Sequence, residues 1–330
     1  MILSYWFRLA SLCFAAFFLV HAAAGISVWL AERPAVRFAE RISARSAARF
    51  LFGMRTLPAG IAVALVVGIC APSYLRFEEN ASGERVGFAC LALALMGALA
   101  WAMSLFRGVR VALRSIRFTR LCRRSGSSVG WLGAPPEILM IGSDRPFLVQ
   151  SGLLRPYIVI SRALLDDFSR AELEAAVRHE SAHWSSRDNW KRLLVAFLPD
   201  VLPIGRGFEL LEAGWSKFME RAADDCVSAR GASSALSLAA ALLRLARMRA
   251  TMGSPLWIPR SVSPLAGNDD LPGRIQRLLA PAPTVPLIRS DYARRILWGV
   301  GGAAVTATAV VLASPVLLSS VHELLEHLLR

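Results

Sequence analysis

The sequence predicts a mainly α membrane protein, with four transmembrane helices and a small α+β domain set between the third and the fourth. Three observations predict it. The 330-residue chain is 55% hydrophobic and only 19% charged, too apolar for an ordinary soluble enzyme. Its apolar residues gather in four uncharged runs, 9–30, 57–75, 86–105 and 296–318, each about 20 residues, the length of helix that crosses roughly 30 Å of hydrocarbon. Between the third and fourth runs lies a long polar stretch with both β-rich and helical patterning. The expected organisation is therefore three membrane helices in residues 1–106, a cytoplasmic domain in 107–295 that includes a proline-rich strap over 251–290, and a fourth membrane helix with a short outer tail in 296–330.

The first run contains Ala22-Ala23-Ala24, which suits a signal-peptide cleavage site, but the run continues to Leu30 and is better read as a span. The placement of the +14 net charge orients the spans. Arg33, Arg37, Arg41, Arg45, Arg49 and Arg55 follow the first run, against Glu32 and Glu40. Arg107, Arg110, Arg114, Arg117, Arg120, Arg123 and Arg124 follow the third, and no acidic residue occurs between Glu84 and Glu137. The loop 76–85 carries three Glu against two Arg. Positive loops stay cytoplasmic, so both termini face out and the α+β domain faces in. The fourth-position arginines from Arg33 to Arg49 read as an interfacial helix meeting anionic headgroups of membrane lipids. Without aromatic interleaving they do not suggest nucleic-acid binding. The five cysteines form no CxxC pair, so neither a disulfide framework nor a cysteine zinc site is expected.

The domain opens with a continuation of the third helix as a basic rod, ended by Ser125-Gly126-Ser127-Ser128. Short β-rich runs at 137–141, 147–150 and 157–161, punctuated by Gly142, Pro146, Gly152 and Pro156, predict a small sheet. Ser169 and Glu172 have capping-box spacing and open a helix. Further helices are expected over 214–230 and 233–249. The proline-rich strap is expected as loop with a short helix near 274–279.

The helix opened by Ser169 carries His179-Glu180-Ser181-Ala182-His183, an HExxH motif. Histidines at i and i+4 lie one turn apart on one helix face, so both rings reach one metal ion, and Glu180 sits where it can take a proton from a water polarised by that ion. Two His plus a carboxylate suit Zn2+. No other His lies in the domain, so the third ligand must be acidic. Glu220 is the first choice because Asp224 follows it at i+4 and can accept the remaining ring N–H of a ligand His; Glu209 and Glu212 are alternatives. The later His322-Glu323-Leu324-Leu325-Glu326-His327 spaces its histidines at i and i+5 and reads as a tail helix. His21, inside the first run, is expected to make an interhelical hydrogen bond. The chemistry read from these residues is peptide hydrolysis by a zincin of gluzincin-like type. One strand edge would bind the substrate extended. The second oxyanion donor stays unassigned, with Tyr157 lying in a strand.

The run 145–188, RPFLVQSGLLRPYIVISRALLDDFSRAELEAAVRHESAHWSSRD, resembles the peptidase domain of the BlaR/MecR-type antirepressor membrane metallopeptidases. Gly152-Leu153, Pro156 and Ile158 match that family's strand, His179 to His183 its helix, and Arg187-Asp188 the Arg-Asp that follows. Glu220-Arg221-Ala222-Ala223-Asp224 is similar to its Glu-x-x-Cys-Asp segment, with Ala223 in place of Cys. The resemblance implies a signalling protease of the bacterial cytoplasmic (inner) membrane, acting on a winged-helix repressor and sometimes on itself, with Asp188 beside Asp224 in support of the ligands. The expected chain ends about a dozen residues past the fourth helix, so the penicillin-binding sensor domain of that family is not expected. The other readings are a membrane quality-control zincin of HtpX-like type and a non-enzymatic receptor or scaffold that sequesters a regulator.

Overall fold

The computed structural model describes residues 5–77, 86–129, 137–153, 157–200, 207–252 and 270–280, together with 314 and 323. The rest of the fourth apolar run and of the outer tail, and most of the proline-rich strap, lie outside the described residues. Among the described residues, three helices are long and apolar enough to cross a membrane: Tyr5–Leu30, Ala44–Phe77 and Phe88–Ser125. The first is α1. The second comprises α3 (Ala44–Leu65), a π-helical turn (Val66–Cys70) and α4 (Ala71–Phe77), preceded by the short α2 (Glu32–Ala39). Pro72 has no N–H to offer the preceding turn, which accounts for the slipped ladder just before it. The third, α5 (Phe88–Ser125), has 38 residues and at 1.5 Å per residue extends about 57 Å. Its arginine-rich half must therefore leave the hydrocarbon, as its sequence predicts. Helices α1 and α5 touch backbone to backbone at Gly97, where a Cβ would collide with the Phe14 carbonyl.

One expectation is corrected here. The arginine stripe 33–49 is not one interfacial helix: the chain breaks at 40–43 between α2 and α3. The face of α3 opposite the arginines is made of Ala44, Ala47, Ala48 and Leu51, all buried. They pack on Leu211, Trp215, Phe218 and Met219 of α9 (Glu209–Ser228). Spacing shows that arginines share a face; it does not show what covers the other face, and here that cover is protein. Arg55, at the end of the stripe, is 3% exposed. Its Nε donates to Glu212 at 2.7 Å, its Nη2 to Asp200 at 2.5 Å, and its guanidinium lies 4.6 Å over the Phe208 ring. Arg107 of α5 reaches the other Asp200 oxygen and donates to the carbonyls of Ala196 and Leu198. Two membrane helices are thus tied to the chain that leads into α9. The His21 ring stacks on Phe17 of its own helix, and neither nitrogen makes a well-formed hydrogen bond among the described residues, the backbone of Pro199 being the polar group near it.

The sheet has order β1-β2-β4-β3, with β1 (Ser127–Val129), β2 (Glu137–Ile141), β3 (Leu148–Ser151) and β4 (Tyr157–Ser161). β2 and β4 run parallel, registering Glu137 with Tyr157; β1 and β3 flank them antiparallel. Every residue of β3 and β4 is buried; β4 accordingly reads Tyr157-Ile158-Val159-Ile160, an apolar run rather than an alternating one, while β3 buries the polar Gln150 and Ser151 as well. Leu148, Ile158 and Ile160 face a core with Leu173 and Ala176 of α7 (Arg170–Ser185) and Leu238 and Leu242 of α10 (Ala232–Met252). Val149, Val159 and Tyr157 face Phe118 and Cys122 of α5. Three further helices complete the described chain: α6 (Arg162–Asp167), α8 (Asp188–Phe197) and α11 (Leu271–Leu279).

Candidate metal centre

α7 begins where its capping box predicts. Ser169 Oγ accepts the Glu172 N–H and the Glu172 carboxylate accepts the Ser169 N–H at 2.7 Å. Ten residues on, His179, Glu180 and His183 are all buried, because α7 is pressed between the sheet and α9. Glu220 on α9 meets both histidines. His179 Nε2 and His183 Nε2 lie 3.2 Å apart, with the Glu220 oxygens 3.3 Å and 3.5 Å from them. Ligand atoms about 2.05 Å from a tetrahedral zinc sit about 3.3 Å from one another; the ring nitrogens stand near that spacing from each other, and each stands near it from one of the two Glu220 oxygens, so the group suits zinc. Among the described residues these three form the one group of such ligands. Glu209 and Glu212 do not join it: Glu209 starts α9 on its exposed side, and Glu212 is bound to Arg55.

Three charged groups stand against the histidines and Glu220: Asp188, Asp224 and one not foreseen. Asp188 Oδ2 is 2.8 Å from His183 Nδ1, and Lys191 pairs with its other oxygen at 2.8 Å. This reach depends on a tight turn from α7 into α8, made by Arg187 in the left-handed region at φ 55° and ψ 39°, a conformation usually left to glycine. Asp224 Oδ1 is 3.1 Å from His179 Nδ1, close enough to hold the ring electrostatically though not aligned as a hydrogen bond. Arg274 of α11 is the group that sequence reading missed. It is 3% exposed and clamps Asp224 through Nε at 2.8 Å and Nη2 at 2.7 Å, while its Nη1 lies 3.1 Å from Glu220. The only hint was its place in the short helix expected within a proline-rich segment, far in sequence from the motif.

Electrostatics follow from this enclosure. Burial opposes charge on Glu220, but His183 and His179, then Arg274, hold its carboxyl well below the usual range. Burial likewise opposes charge on Asp224, and the His179 and Arg274 contacts override it downward. His183 would be lowered by burial; the Glu220 charge and the Asp188 hydrogen bond lift it instead to about 10. The pocket therefore favours positive charge, and a metal cation would displace protons from the rings. Glu180 differs: burial pushes its carboxyl up to about 7, against the pull of His183 and His179. Its Oε2 accepts the Gln150 N–H of β3 at 2.9 Å, and its buried Oε1 has no partner among the described residues, leaving one oxygen for a water proton. Tyr157 points to the α5 side of the sheet, away from α7, and is no oxyanion donor.

Residues 147–251 match the sequence model of peptidase family M48. No curated protein matches the chain. The matched segment runs from β3 to α10 and contains His179, Glu180, His183, Asp188, Glu220 and Asp224; together with the three apolar helices that precede it, it supports a membrane metallopeptidase similar to family M48.

Proposed function

We propose that the chain is an integral-membrane zinc endopeptidase in which His179, His183 and Glu220 hold the metal and Glu180 is the general base. The observation that carries this is the convergence of both ring Nε2 atoms and the Glu220 carboxylate, whose two oxygens lie 3.3 Å and 3.5 Å from one ring each, beside a buried Glu180 oxygen that has no partner among the described residues. Bound zinc would supply Lewis acidity, polarising a water and the scissile carbonyl. Glu180, held by the Gln150 N–H, takes the proton of the attacking water and returns it to the leaving amine. Its raised affinity for a proton suits that exchange near neutral pH. Asp188 and Asp224 fix the outer nitrogens of the two rings so that the inner ones face the metal. β3, at the sheet edge beside Glu180, is the strand along which an extended substrate would lie.

The cellular role we infer is signalling at a bacterial cytoplasmic membrane, with the catalytic domain inside, by cleavage of a winged-helix repressor, of the protease itself, or of both. The BlaR/MecR-type resemblance of 145–188 and the placement of the motif after a third apolar helix support it. The family M48 match accommodates the HtpX-like quality-control reading equally, and helix order favours the first. The test is to express wild type and Glu180→Gln in membranes with a candidate repressor and immunoblot both proteins. Fragments that appear only with wild type are expected; equal fragments with both variants would overturn the protease assignment.

A further inference from the structure

A cavity of about 390 Å3 lies between α3, the end of α7, the start of α8 and α9. Arg45, Arg49 and Arg187 stand exposed on its walls, and none has an acidic partner among the described residues; Lys191 is committed to Asp188. Ala182 and Asp188 also line it, and Asp188 is the residue that contacts His183 Nδ1 at 2.8 Å. A second cavity, of about 240 Å3, lies at the end of β3 and is lined by Gln150, Leu153, Trp184 and Trp190. Arg187 lines both. The two therefore adjoin the same arginine: one borders the edge strand whose Gln150 N–H holds Glu180, with two exposed indoles on its wall, and the other carries three guanidinium groups that no described carboxylate neutralises.

We propose that this basic chamber is a substrate subsite that takes the carboxylate side chains of an acidic segment flanking the scissile bond. The proposal rests on the protease reading and adds a substrate class to it. Planar guanidinium groups grip carboxylates in pairs, and a concave chamber lined by four helices screens such pairs less than open solvent does. A lipid headgroup fits less well. Residue 45 precedes the apolar run at residue 57 by 12 residues, about 18 Å of helix, whereas the headgroup layer on each side is only about 5–8 Å deep.

The test uses full-length Glu180→Gln in detergent with zinc and two fluorescein-labelled peptides, one alternating Glu and Ala, the other alternating Lys and Ala, read by anisotropy. Wild-type chamber residues should favour the Glu peptide, and Arg45→Glu/Arg49→Glu should weaken it about tenfold. Arg33→Glu/Arg37→Glu, which makes the same charge change on exposed α2 positions away from the chamber, should leave it within about twofold. Arg45→Gln/Arg49→Gln repeats the test with a milder change. Equal loss in both double variants would show general attraction to a basic protein and overturn the proposal, as would no preference for Glu over Lys. Vesicles of anionic phosphatidylglycerol that bind through Arg45 and Arg49 while the peptides do not would assign the chamber to lipid instead. Cleavage of a peptide library by the wild-type catalytic residues separates the two claims. No cleavage with the Glu preference intact unseats the protease alone; cleavage without acidic enrichment beside the cut unseats the subsite alone.

Discussion

Asp224→Asn is the substitution that most sharply tests how the metal centre is held. Asp224 is fully buried. One oxygen faces His179 Nδ1 at 3.1 Å, and both oxygens receive Arg274, at 2.8 Å and 2.7 Å. Asparagine keeps the shape but turns one acceptor into an N–H2 group facing a guanidinium N–H, and it removes the charge. Breaking a buried ion pair by altering one partner costs about 3–5 kcal/mol. Glu220 still reaches Arg274 at 3.1 Å, which puts the expected loss of stability at the low end, about 3 kcal/mol. The metal is affected separately, because His179 loses the group that orients it: zinc affinity should fall about 10–100-fold. Denaturant unfolding of detergent-solubilised protein reads the first quantity, and zinc titration of the apo-protein against a chromophoric chelator reads the second. Adding Arg274→Gln removes the stranded cation and should restore most of the stability without restoring zinc affinity. An Asp224→Asn protein that binds zinc within about twofold of wild type would refute the orienting role, since such groups carry at least tenfold.

Three further outcomes follow from the same geometry. Glu180→Gln should retain one zinc per chain by elemental analysis while cleaving nothing, and wild-type activity lost to a chelator should return with added zinc. Gly97→Val should lower the detergent melting temperature by the equivalent of about 1–3 kcal/mol, because a side chain there meets the Phe14 carbonyl; an unchanged melt would mean that α1 and α5 do not pack so closely. Glu172 is opposed by burial but held below its ordinary value by the Ser169 N–H and hydroxyl and by Arg244. A depressed carboxylate stabilises above its unfolded pKa and loses that contribution as pH falls through the folded one. Glu172→Gln should therefore cost about 1 kcal/mol at pH 7, and the difference should vanish well below pH 4.5; a difference constant with pH would contradict the capping charge.

The sequence was most readable where local chemistry and long-range packing agree. Ser169 and Glu172 announce the start of α7, and the four-residue steps from His179 to His183 and from Glu220 to Asp224 put each pair on one helix face, which the tertiary fold then brings together. What stayed hidden depends on partners distant in the chain. β1 was read as a breaker because Ser127 and Ser128 have little preference for strands; its pairing with Leu139 and Met140 imposes the conformation. α8 follows a left-handed arginine that no turn signal marks. Arg274 gains its meaning only when α11 folds back on α9. The arginine stripe read as one interfacial helix because spacing reports the charged face alone, and the alanines behind it suit a bilayer surface and a neighbouring helix equally well.

The packing of α3 on α9 also governs how this molecule can be handled. The helix that carries Glu220 and Asp224 finishes its own core with Leu51 and its neighbouring alanines, residues that belong to the second apolar helix and lie more than 150 positions away from Trp215 and Phe218. A fragment cut to the region between the third and fourth apolar runs would lay Leu211, Trp215, Phe218 and Met219 open to water, on the helix that carries Glu220. Such an excised piece would clump before it could be assayed. Recombinant work on the catalytic chemistry should therefore begin with the membrane helices in place.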